Sequence, residues 1–229
     1  MLAKELFSLP TSLAHVAPWF DEDAHPWDWL KQINLALEGV LAGSDNLMSL
    51  ENRPAGVYVR GPVFIHPTVR LPLAAVIEGP AWIGAHTEIR PGCFIRGNVI
   101  VGENCVLGNS CEYKNCLLMD DVETAHFNYV GDSILGTRAH LGAGAICANL
   151  KLNRDEVTIR IGESRFRTGL KKVGAFLGEG AEVGCNSVLQ PGTVLGKNSA
   201  VISMPFHGYL PEGQMALPES KYRTLPRPE

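Results

Sequence analysis

The sequence predicts an all-β chain wound as a single-stranded parallel β-helix of hexapeptide repeats. Three observations predict it: an aliphatic residue recurs every six positions, a small side chain follows four positions later, and glycine often comes directly after the aliphatic one. Stepping by six from Ile65 gives Leu71, Ile77, Ile83, Ile89, Ile95, Val101 and Leu107, then the weaker Tyr113, Met119 and Ala125. The small position reads Val69, Ala75, Ala81, Thr87, Cys93, Val99, Cys105 and Cys111. The register slips to Val130 and Leu135, continues through Leu141 and Cys147, breaks, and resumes as Leu177, Val183, Leu189, Leu195 and Val201. Eighteen residues, three hexads, make one triangular coil whose short strands stack on the coils above and below. The glycine after each aliphatic residue is expected to turn the corner with φ > 0. A period of six keeps no single face of an α-helix apolar, so a helical reading fails.

The repeat spans residues 57–203. Residues 1–56 precede it and hold three of the four tryptophans, Trp19, Trp27 and Trp29. One helix is expected from Pro26 to about Leu41, with proline early and Gly43 just past its end. This segment is expected to cover the open edge of the first coil. Residues 148–172 interrupt the repeat. There Val157 to Arg167 alternates around Gly162 and reads as a protruding β-hairpin. From Lys151 to Lys172 seven basic residues face three acidic ones, a local cationic excess that fits a solvated loop or a phosphate-binding one. The proline-rich, charged tail, residues 204–229, carries no predicted regular structure.

Composition narrows the function. A net charge of −4 gives no reason to expect nucleic acid or an anionic membrane as partner. The first residues lack a cationic start, an unbroken apolar run and a cleavage site, so the expected location is the cytoplasm. The six cysteines include no CxxC pair; Cys93, Cys105 and Cys111 fall in the small inward position, where a thiol acts as a compact hydrophobe. Free thiols are expected, and no metal site.

The polar motifs lie in the middle of the repeat: Glu112-Tyr113-Lys114-Asn115, then His126-Phe127-Asn128-Tyr129-Val130-Gly131-Asp132, then Gly142-Ala143-Gly144, and the run from Thr168 to Gly178 that contains Lys171 and Lys172. Over residues 62–203 this pattern resembles the hexapeptide-repeat acyltransferases. It resembles most the acetyltransferase domain of the bifunctional N-acetylglucosamine-1-phosphate uridyltransferase/glucosamine-1-phosphate acetyltransferases and the C-terminal β-helix of archaeal sugar-1-phosphate nucleotidylyltransferases. The resemblance implies a left-handed coil, a homotrimer with shared active sites, and acetyl transfer from acetyl-CoA to an amino-sugar phosphate such as glucosamine-1-phosphate.

Carried over by motif, His126 is the general base and Glu112 the residue that orients it. Arg90 and Lys114 hold the sugar phosphate, Tyr129 and Asn149 contact the sugar or phosphate, and His140 stands where the family has a substrate-facing asparagine. Backbone N–H groups of Gly142, Ala143 and Gly144 are expected to hold the thioester carbonyl, with Lys171 and Lys172 also on the acetyl-CoA side. The nucleotidyltransferase domain of those relatives has no counterpart here, which argues against uridyl transfer.

Two alternatives share the fold. A γ-type carbonic anhydrase needs closely paired zinc histidines, whereas His126 and His140 lie fourteen apart. A non-catalytic module that binds a sugar nucleotide, or partners a separate nucleotidyltransferase, is the other.

Overall fold

In the computed structural model, which describes residues 1–42 and 53–219, the repeat forms a parallel β-solenoid with three sides. The first side stacks Gly56–Arg60, Ala74–Glu78, Phe94–Arg96, the early part of Glu112–Leu118 and of Tyr129–Leu135, Ile146–Cys147, Val188–Leu189 and Pro205–Phe206. The second runs from Val63–Ile65 and Ala81–Ile83 through Val99–Val101 and the later part of the same two long strands to Ala175–Leu177, Thr193–Leu195 and Tyr209–Leu210. Seven short strands make the third, from Glu88–Ile89 to Met215–Ala216. Ile77, Ile83, Ile95, Leu107, Leu135, Leu141, Leu177 and Leu195 fill the axis and are fully buried.

Coil length is not constant. Partners are eighteen apart early on, as in Ala81↔Val99, but seventeen apart where Val99 meets Cys116 and Glu112 meets Tyr129. The lost residue lies at one corner: Tyr113 to Leu118 and Val130 to Leu135 are five steps rather than six. The axial positions after Tyr113 are therefore Leu118 and Thr124, not Met119 and Ala125. Met119 instead packs outward against the N-terminal segment. Thr124 joins the axis by bonding the buried Tyr113 hydroxyl at 2.6 Å and the Val106 carbonyl at 3.0 Å.

The corner glycines also differ from expectation. Gly84, Gly102 and Gly108 are not at positive φ; left-handed backbone falls two residues later, on His86, Asn104 and Ser110. Glycine is required at these positions by stacking. A Cβ on Gly84 would lie 2.4 Å from the Gly102 carbonyl oxygen one coil away.

The described part of the N-terminal segment, residues 1–42, does not pack over the first coil's edge as expected. It lies along the second side, where Ile100, Leu117, Ile134, Phe176 and Val194 point outward and form one cluster with Leu6, Phe7, Leu13, Trp27, Trp29, Ile33 and Leu37. Each large side chain buried this way contributes roughly 1.5–3 kcal/mol. Polar ties flank it: Ser12 Oγ donates to Asp120 at 2.6 Å, and the Ser8 N–H to Glu179 at 2.6 Å. Two short helices, Pro26–Trp29 and Ile33–Leu41, replace the single predicted one. The intervening Lys31 and Gln32 N–H groups bond three residues back, at 3.1 and 2.9 Å, which tightens the turn and separates them. Gly43 lies outside the described residues.

The insertion leaves from the shortened corner. Its hairpin, Thr158–Ile161 with Ser164–Arg167, forms as expected but does not stand free. Val157 and Ile159 are buried, and Phe166 packs against Trp27 at 5.5 Å. The tail has regular structure to Ala216, because Pro205–Phe206, Tyr209–Leu210 and Met215–Ala216 complete a final coil. Among the described residues no helix is long and apolar enough to cross a membrane.

Candidate active site

Two corners of the solenoid collect most of the predicted site. At the corner between the third and first sides, His126 ends a strand with its side chain exposed, and Phe127 takes the left-handed turn. Asn128 is buried beneath and ties the coils together. Its Oδ1 accepts the His126 N–H at 3.3 Å, while its amide donates to the Gly142 and Ala145 carbonyls at 2.8 and 3.2 Å. Gly142-Ala143-Gly144 thus stacks one coil from His126, and the Gly144 N–H donates to the His126 carbonyl at 3.0 Å.

Of the three N–H groups expected to face a thioester, two are consumed by the solenoid. Gly142 donates to Val183 at 2.7 Å and Gly144 to His126. Only that of Ala143 has no acceptor among the described residues. The glycines serve close stacking instead: a Cβ on Gly142 would lie 2.7 Å from the Cys185 nitrogen.

The second cluster fills the shortened corner between the first and second sides. Asp132 is the centre. Its carboxylate, 5 % exposed, accepts both Lys114 Nζ contacts at 3.1 Å, the Asn115 amide at 2.9 Å and the Asn149 amide at 2.5 Å. Asn149 also donates to the Tyr129 hydroxyl at 3.1 Å. Burial raises the Tyr129 pKa, and the Asp132 and Glu112 carboxylates raise it further. Local backbone makes room for this network. Asn115 and Asp132 are both left-handed at φ 47° and 48°, which asparagine and aspartate tolerate better than other side chains. Gly131 is equally specific, since a Cβ there would sit 2.4 Å from the Tyr129 oxygen and 2.8 Å from the Asn149 nitrogen. Sequence reasoning missed Asp132 as the organiser, although it closes the motif that begins at His126.

Of the remaining predicted residues, Glu112 is the ladder partner of Tyr129, whereas the others make no side-chain contact with either cluster within one chain. Glu112 pairs with Arg96, raising the Arg96 pKa, and makes no hydrogen bond to His126. Arg90 lies by the third side, held to Glu88 at 3.3 Å, and Glu88 also binds Arg70 at 3.0 Å. His140 is on the third side between Glu123 and Glu182, its ladder neighbours on the adjoining coils. Lys171 and Lys172 are exposed near the end of the insertion, with Lys172 bridging to Leu150. Among the described residues no group of three or more His, Cys, Asp or Glu side chains converges as a metal site would require.

Fold and repeat define the chain as a hexapeptide-repeat β-solenoid of the kind acetyltransferases use. It is similar in particular to bifunctional sugar-1-phosphate nucleotidylyltransferase/acetyltransferases, as the sequence motifs implied. The family model described as the GMPPB C-terminal domain matches residues 77–164. The bifunctional protein GlmU of Methanococcus vannielii is 32 % identical over 183 residues, covering 80 % of this chain and 43 % of its own. A bifunctional sugar-1-phosphate nucleotidylyltransferase/acetyltransferase of Sulfurisphaera tokodaii is 33 % identical over 178 residues, covering 78 % and 43 %. This chain therefore spans less than half the length of the curated relatives it matches. Among solved structures, the acetyltransferase domain of PglB from Neisseria gonorrhoeae aligns with a TM-score of 0.28 and 12 % identity over 69 % of this chain and 53 % of that one.

Proposed function

We propose that this chain transfers an acetyl group from acetyl-CoA to the amine of an amino-sugar phosphate, such as glucosamine-1-phosphate, with His126 as general base. One observation carries the reading. The exposed His126 side chain stands one coil from the Ala143 N–H, the one amide in its glycine-rich run that the solenoid leaves without an acceptor. That pair supplies what N-acetyl transfer needs. The imidazole takes a proton from the ammonium, the freed nitrogen attacks the thioester carbon, and the Ala143 N–H donates to the oxyanion that forms. Collapse breaks the C–S bond, the imidazolium returns its proton to the departing thiolate, and the second proton of the acylated nitrogen is lost to solvent. The products are the amide, a free thiol and one released proton, with no further reactant needed.

Lys114, Tyr129 and Asn149, gathered around Asp132, are the acceptor-binding set in this reading. Lys114 keeps donor capacity beyond its two contacts with Asp132, which suits it to a phosphate oxygen. Arg90 and His140 meet neither cluster within one chain, which supports a homotrimer whose sites lie between copies. Lys171 and Lys172, exposed and with no side-chain partner among the described residues, suit the phosphates of acetyl-CoA.

His140, standing where the resembled family has an asparagine, favours one other reading, a non-catalytic module that binds a sugar nucleotide or partners a separate nucleotidyltransferase. Thiol release from acetyl-CoA, followed with a chromogenic disulfide across a panel of amino-sugar phosphates, decides between them. Release that depends on the amine supports transfer. Binding of an amino-sugar phosphate without release supports the module.

A further inference from the structure

One corner of the solenoid carries a side chain that its own backbone disfavours. Between the third and first sides, successive coils turn left-handed at Gly92, Ser110, Phe127, Gly144 and Asn186, with φ of 77°, 52°, 54°, 73° and 56°. Four of these five are glycine or a short polar residue, which that backbone accepts or tolerates. Phe127 is the large one. A bulky L-residue is a true outlier in this region.

The neighbouring coils hold it there. The Phe127 N–H donates to the Asn109 carbonyl at 2.9 Å, and the carbonyl of the preceding His126 accepts the Gly144 N–H at 3.0 Å. The residue that follows, the buried Asn128, is tied to Gly142 and Ala145 through its side chain. A strained residue persists only where its surroundings fix it in this way, and such residues gather at functional sites. Packing within the chain does not compensate for the strain. Phe127 is 60 % exposed, and the residues stacked on either side of it, Ser110 and Gly144, are too small to cover its ring. That ring stands beside the exposed imidazole of His126, with centroids 6.3 Å apart and planes tilted by 40°.

We infer that Phe127 is a specificity-determining residue whose ring lies against the apolar face of the acceptor's hexose ring. A pyranose presents C–H groups on its faces, and an exposed aromatic ring is the side chain that removes such a face from water. The small residues above and below Phe127 leave its ring open to a flat ligand. The inference rests on the acceptor binding beside His126. It adds a contact that the charged and hydrogen-bonding groups around Asp132 do not supply, recognition of the sugar ring itself rather than of its phosphate or amine.

Calorimetric titration of the full chain tests it without turnover. The probes are glucosamine-1-phosphate and glucose-1-phosphate, which share ring and phosphate and differ in the amine. Phe127→Asn, which suits the left-handed backbone, should weaken both by about 5- to 20-fold. Its melting temperature should be equal or higher and its acetyl-CoA affinity unchanged, while Phe127→Tyr should bind both probes as wild type does. In steady state Phe127→Asn should raise the KM for the acceptor with little change in kcat. Weakening of both hexose phosphates in a protein that transfers no acetyl group would remove the proposed function and leave this inference standing. Weakening confined to glucosamine-1-phosphate assigns the ring to the ammonium, weakening confined to acetyl-CoA assigns it to the donor, and a lowered melting temperature with unchanged binding assigns it to packing. Each of these overturns the proposal, as does wild type that binds neither sugar phosphate.

Discussion

Replacing Asp132 with asparagine probes the acceptor corner with almost no change of shape. Both carboxylate oxygens accept: Oδ1 from Lys114 and Asn115, Oδ2 from Lys114 and Asn149. An amide nitrogen in place of either oxygen therefore faces a donor whichever way it is turned. One conflict can be relieved. If the new NH2 points at Asn149, that amide can flip and accept from it, with the Tyr129 hydroxyl then donating to the same oxygen. The loss that no flip recovers is the charge opposite Lys114. Hydrogen bonds to charged groups contribute about 1.5–3 kcal/mol, and the Lys114 side chain is 27 % exposed, so solvent recovers part of that. The expected cost is about 2 kcal/mol, or roughly 4–8 °C in Tm for a chain of this size. Thermal unfolding at matched protein concentration measures it. A shift below about 1 °C would refute the reasoning, since it would mean that Lys114 is solvated rather than held by Asp132.

Other predictions follow from separate features. The Glu179 pKa is lowered although burial opposes this, because hydrogen bonds from Lys197 and Ser8 outweigh the burial. Its contribution is therefore present above the ordinary carboxylate range and lost as pH falls through the folded value, so wild type should lose stability more steeply than Glu179→Gln between about pH 5 and 3. Burial pushes the Cys105 and Cys147 thiols up to about 12 and raises Cys93, Cys111 and Cys116, whereas Cys185 is exposed. Iodoacetamide on native protein should label Cys185 alone, and mass spectrometry reads the stoichiometry. Light scattering should give three times the chain mass of 24.8 kDa; a monomer at working concentration would contradict a site shared between copies.

Much of this architecture is legible in the sequence, because a β-solenoid writes its axis as a period. Ile77, Ile83, Ile95 and Leu107 lie where counting by six puts them. The count fails at Met119 because the corner between Tyr113 and Leu118 loses a residue, as the same corner does one coil later, and only the stacking partners reveal which corner. The position of the N-terminal segment had a signal that alternation obscured. Val99-Ile100-Val101, Cys116-Leu117-Leu118 and Ala175-Phe176-Leu177 are apolar on consecutive residues, the mark of a strand covered on both faces. Within the site, residues close in sequence were readable as motifs. Asp132 was not, since its partners Lys114, Asn115 and Asn149 come from the adjoining coils, and coil length must be known before they can be matched.

The central claim is that one imidazole performs the proton transfer, and His126→Ala in the amine-dependent thiol-release assay tests it most directly. A positioned base contributes about 100- to 10,000-fold in rate. His126 is exposed and ends its strand, so its truncation should leave the solenoid's packing, assembly mass and melting temperature close to wild type. The account predicts turnover reduced by at least about 100-fold with acetyl-CoA affinity retained. Turnover that persists in His126→Ala but vanishes in His140→Ala would contradict it and move the base to the third side of the solenoid.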